Sequence, residues 1–127
     1  MLTPAYTKEW LENNRILCYR LHNTQRGTVE AWEQDLSQEL TGWPEGKTWR
    51  LLLDVRAESI ISAYSLLRAR KIASLRPELR GQLAVLIGDR LASQIIGMAI
   101  RNVPNRYRQR MVFANESFAV HWLLQES

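Results

Sequence analysis

The chain has 127 residues, 46% of them hydrophobic and 24% charged, with a formal net charge of +4. That length supplies one core rather than two, so a single domain over residues 1–127 is expected, able to bury roughly two-thirds of its unfolded surface without a disulfide or metal staple. The lone cysteine, Cys18, excludes an intramolecular disulfide and lies in an apolar run, which predicts a buried thiol in a reducing, cytoplasmic setting.

The opening Met-Leu-Thr-Pro-Ala-Tyr-Thr-Lys-Glu-Trp has no basic start and no continuous apolar stretch, so it does not read as a signal peptide, and no run approaches the roughly 18–20 apolar residues of a membrane span. Lys8 to Glu12 and Arg15 to His22 read as a strand pair joined at Asn13-Asn14. From Thr28 the period changes. Val29, Trp32, Leu36 and Leu40 recur at helical spacing, with Thr28 as the expected N-cap and Gly42 as the stop. Thr48 to Arg56 holds the apolar run Leu51-Leu52-Leu53, which suits a strand covered on both faces at the centre of a sheet.

A second helix is expected from Ser59 or Ser62 to near Pro77, a buried strand from Gly81 to Gly88, and a third helix from Asp89 to before Pro104. Arg110 to Ala114 reads as a short strand. Asn115 then caps a last helix with Phe118, Ala119, Trp122 and Leu123 on its apolar face. Strands alternating with amphipathic helices predict an α/β fold: a mixed, mostly parallel β-sheet under about four helices.

The closing segment Arg110-Met111-Val112-Phe113-Ala114-Asn115-Glu116-Ser117-Phe118-Ala119-Val120-His121-Trp122-Leu123 resembles the last strand–turn–helix of STAS-like (SpoIIAA-like) domains, the anti-sigma-factor-antagonist type. Glu9-Trp10-Leu11-Glu12 with Tyr19-Arg20-Leu21 is similar to that family's first strand pair, and Leu51-Leu52-Leu53-Asp54-Val55 to its central strand ending in an aspartate. The resemblance implies a regulatory module that acts through a protein partner, with a homodimer as one form, rather than through catalysis. It places the contact surface at the loop and helix start after the central strand, with Arg56, Glu58, Ser59, Ser62 and Tyr64. The family's phosphoswitch motif, Asp-Ser-Ser-Gly, is replaced here by Ala57-Glu58-Ser59-Ile60-Ile61-Ser62. Ser59 and Ser62 stand in the neighbourhood of a phosphoacceptor, but isoleucines separate them and the glycine is missing.

Two histidines and one cysteine, at His22, His121 and Cys18, do not make a metal ligand set, and no cofactor is expected. Cys18 and His22 lie about 13 Å apart along a strand at ~3.3 Å per residue, too far for a catalytic dyad. Single glycines before the helices do not form a phosphate cradle. Asp54 could face the crevice beyond the strand ends as a carboxylate catalyst. The commoner reading, an aspartate that caps its turn or pairs with Arg56, is favoured. Of the tryptophans, Trp32 and Trp122 fall on apolar stripes and Trp43, before Pro44, is expected to be partly exposed.

Charge is uneven: residues 1–60 carry 7 basic against 9 acidic side chains, and residues 61–127 carry 10 against 4. Arg68, Arg70 and Lys71 are expected on the outward part of the second helix, and Arg101, Arg106, Arg108 and Arg110 around the following loop. With only Tyr107 interleaved, a solvated or protein-binding face is favoured over nucleic acid. A second functional reading is a small apolar ligand or lipid carrier, with Ile60, Ile61, Tyr64 and Ile96 lining a pocket between helices and sheet.

Overall fold

A computed structural model of the protein describes residues 6–23, 25–57, 67–68, 71, 75–76, 78–88, 94 and 108–125. Five strands, β1 (Tyr6–Leu11), β2 (Ile16–Leu21), β3 (Trp49–Asp54), β4 (Gly81–Leu86) and β5 (Arg108–Phe113), form one sheet in the order β1-β2-β3-β4-β5. The β1–β2 pairing is antiparallel, and β2–β3, β3–β4 and β4–β5 are parallel. The fold is therefore α/β with a mixed sheet. Two helices lie among the described residues, α1 (Arg26–Thr41) and α2 (Glu116–Leu124), where about four were expected. The expected second and third helices fall largely outside the described residues.

The β1–β2 turn uses Glu12, Asn13 and Asn14, all in the left-handed region with φ of 53°, 57° and 64°. Asparagine tolerates that conformation better than most residues, which is why the Asn-Asn pair punctuates the chain here. The Arg15 N–H closes the turn on the Leu11 carbonyl at 3.1 Å.

Strand alternation sorts the core into two layers. On one face Leu17, Tyr19, Leu51, Leu53, Val85 and Ile87 pack under Val29, Trp32, Leu36 and Leu40 of α1. On the other, Ile16, Cys18, Leu52, Ala84 and Leu86 pack under Ala119 and Leu123 of α2. The middle strand β3 serves both layers, so all three leucines of its apolar run are buried.

Three local expectations are corrected. Thr28 does not cap α1. It lies inside the helix, buried, and its hydroxyl donates to the Asn23 side-chain oxygen at 2.7 Å, the same oxygen that accepts the Gln25 N–H at 2.9 Å. The short polar side chain of Asn23 thus sets the entry to the helix. Trp43 is buried rather than partly exposed, because its indole N–H reaches the Lys47 carbonyl at 2.9 Å and Trp10 stacks on it at 6.2 Å. Phe118 is 70% exposed, because α2 turns Ala119 and Leu123, one helical turn apart, squarely onto the sheet and Phe118 falls off the edge of that stripe. Lys71 is 65% exposed, as its outward placement predicts, and it and Arg68 reach Glu33 of α1 at 3.8 and 3.3 Å.

Asn115 does cap α2, its side-chain oxygen accepting the Phe118 N–H at 3.3 Å. Asn115→Ala is expected to cost about 1 kcal/mol, read as a lower urea midpoint at unchanged slope.

Candidate functional site

In open α/β sheets ligands sit beyond the carboxyl ends of the parallel strands. Here the ends of β2 and β3 are occupied by the protein's own charges. Arg20, near the end of β2, is paired in register with Asp54, the last residue of β3, so both side chains project from the α2 face. Glu9 of β1 lies on the same face, and α2 begins beside them with Glu116. The Arg20 guanidinium donates to Glu9 at 2.7 Å, to Asp54 at 2.9 Å, and to both Glu116 oxygens at 2.6 and 3.2 Å.

Arg56 completes the group. Its backbone N–H and its Nε each reach Asp54 Oδ1 at 3.0 Å, and its terminal nitrogen reaches Oδ2 at 2.9 Å and Glu116 at 3.3 Å. Asp54 therefore caps its own turn and pairs with Arg56, the reading favoured by its sequence context.

Electrostatics follow from this geometry. Burial would push the Asp54 carboxyl up, but the hydrogen bonds from Arg56 and Arg20 overcome it and hold the group below its ordinary value. Glu116 is held low chiefly by its bond from Arg20, against a smaller effect of burial. Arg20 is correspondingly raised, above all by Glu116. Both carboxyls titrate lower in the folded chain than in the unfolded one. Their stabilising contribution is thus present above the unfolded value of about 4 and disappears as pH falls through the folded values. The urea midpoint is expected to decline on acidification below about pH 5, and the decline should be shallower in Asp54→Asn. An equal slope in both proteins would refute that role.

Comparison of the chain with protein-family models, curated proteins and solved structures finds no match. The arrangement itself states what it can do. Three carboxylates and two guanidiniums satisfy one another, and an aspartate fixed in its ionised form by four hydrogen bonds is a weak proton acceptor. The cluster is suited to holding β1, β2, β3 and the start of α2 in register.

Of the residues expected to form a contact surface, Arg56 joins this cluster, while Glu58, Ser59, Ser62 and Tyr64 lie outside the described residues, as do the pocket-lining candidates Ile60, Ile61 and Ile96. Between α1 and the sheet, a small, partly open pocket beside Leu17, Leu36, Trp43 and Trp49 has a volume of about 10 Å³. Cys18 is fully buried and its thiol is pushed up to about 12 by that burial. Among the described residues no group of His, Cys, Asp and Glu is arranged to hold a metal ion, and no helix is long and apolar enough to cross a membrane.

Sequence reasoning missed Glu9, Arg20 and Glu116. The signal was the position of Arg20 two residues after Cys18, on a strand otherwise apolar on that side. It becomes legible only when the strand register supplies the partners.

A second polar group was also missed. Asp35 of α1 accepts from the Tyr19 hydroxyl at 2.7 Å, Lys8 Nζ at 2.9 Å and the Tyr6 hydroxyl at 3.1 Å, and Glu39 takes a further Lys8 bond at 2.6 Å. It ties α1 to β1 and β2 on the opposite face of the sheet from Asp54.

Proposed function

We propose that the chain is a STAS-like regulatory module that works by binding a protein partner, without catalysis and without a cofactor. One observation carries this reading: at the ends of β2 and β3 the charged groups Glu9, Arg20, Asp54, Arg56 and Glu116 bond one another, while large apolar side chains elsewhere are turned outward. Met111 of β5 is 44% exposed and Phe118 of α2 is 70% exposed. Large apolar side chains left exposed in this way can anchor association with a partner.

The antiparallel first strand and the parallel strands that follow in sequential order support the family resemblance. Adjacent parallel strands need crossover connections of a dozen residues or more, usually helical. The proposal accordingly completes the single domain with helices between β3 and β4 and between β4 and β5. The expected contact surface runs from Arg56 through Glu58, Ser59, Ser62 and Tyr64. A homodimer is one form of the complex, and the reducing cytoplasm is the proposed setting.

The test combines light scattering of the purified chain with capture of partners from native lysate. A dimer or a stoichiometric partner, weakened at least tenfold by Arg56→Glu or Phe118→Glu, is the expected result. A lone monomer in both assays overturns the proposal.

A further inference from the structure

The two helices are held to the sheet in different ways. Over 16 residues α1 buries Thr28, Val29, Trp32, Leu36 and Leu40. Over 9 residues α2 fully buries Ala119 and Leu123, packs the partly buried Val120, Trp122 and Leu124 against the same layer, and turns Phe118 to solvent. This shorter apolar face is supplemented at both ends by arginines from the sheet. At its start, Arg20 and Arg56 grip Glu116. At its finish, Arg50 Nε donates to the Leu123 carbonyl at 2.6 Å, one of the carbonyls a helix end leaves without an intrahelical partner. Beneath α2 lie Ile16, Cys18, Leu52, Ala84 and Leu86, all fully buried.

We infer that α2 is a detachable cover, clasped at both ends by Arg20, Arg56 and Arg50, which opens as a unit while the sheet and α1 stay folded. Elements with few buried apolar contacts open at lower free energy than the core they cover. A helix of this length is also marginal alone in water, so release of the clasps unwinds it as well as lifting it. The device is a gate: it conceals or shows one apolar face of the sheet according to whether the arginine ties hold. This inference stands whether or not the chain binds a partner.

Cys18 makes the gate measurable, because it is the single cysteine of the chain and lies in the layer that α2 covers. The purified full chain would be treated with 5,5′-dithiobis(2-nitrobenzoic acid) across a series of low urea concentrations, alongside global unfolding followed by circular dichroism. The expected labelling rate is well above that allowed by global unfolding and nearly flat in urea below the unfolding transition. Glu116→Gln and Arg50→Met should each speed it about tenfold. Val29→Ala, in the α1 layer, should lower global stability and leave the labelling rate at low urea unchanged. If labelling instead follows global unfolding in every variant, Val29→Ala included, α2 and the sheet open together and the inference fails.

Discussion

Replacing Gly81 with alanine is expected to destabilise the protein by about 3 kcal/mol and lower its melting temperature by about 10 °C. Gly81 opens β4 directly opposite Trp49 of β3. A Cβ built there falls 2.1 Å from Trp49 Cε2 and 2.5 Å from Cδ2 and Cζ2. The indole cannot simply swing aside, because Trp49 is 7% exposed and belongs to the core layer under α1. Close-packed interiors answer such crowding with off-rotamer side chains or backbone shifts. Urea denaturation of Gly81→Ala, Trp49→Leu and the double variant measures the effect. A true clash predicts strong coupling, with the double variant recovering much of the loss caused by alanine at 81. Additive losses would show that the close approach is not what glycine serves there.

Asp35→Ala should be comparably damaging, at about 3 kcal/mol, through a different mechanism. The Tyr19 ring is fully buried and its hydroxyl ends on Asp35. Removing the carboxylate leaves a buried phenol without that acceptor, a penalty of about 1–3 kcal/mol, and also releases Lys8 and Tyr6. Burial raises the Tyr19 hydroxyl, with Asp35 adding to the shift, so the phenol stays protonated and needs an acceptor. Asp35→Asn, which keeps one acceptor oxygen, should lose about half as much. Adding Tyr19→Phe to Asp35→Ala should restore stability, since removing both partners costs less than stranding one. A double variant less stable than Asp35→Ala alone would sink this account.

The apolar half of the fold was readable from the residues. The Val29, Trp32, Leu36 and Leu40 stripe, the Leu51-Leu52-Leu53 run and the Asn13-Asn14 turn each encode their element by local spacing, and each is where the spacing places it. The polar half was not readable in this way. Arg20 meets Asp54, Glu9 and Glu116 only because three strands and a helix start converge, and the pairs are separated by 34, 11 and 96 residues. No local window contains that information. Phe118 was misread for a related reason: four apolar positions in a short helix define a stripe wider than the face that packs, and the sheet selects which of them it buries. Trp43 went the other way, drawn inward by a partner, Trp10, from a distant strand.

The strand pairing also bears on the order of assembly. Only the β1–β2 hairpin joins neighbours in the chain; every later pairing must bridge about 30 residues before any ladder bond forms. Such non-local contacts carry their loop-closure entropy in advance, so the hairpin can fluctuate into shape early while the parallel ladders wait for the crossovers to condense. Refolding is therefore expected to be limited by formation of the parallel pairings, so slackening one of them should slow stopped-flow refolding more than it speeds unfolding.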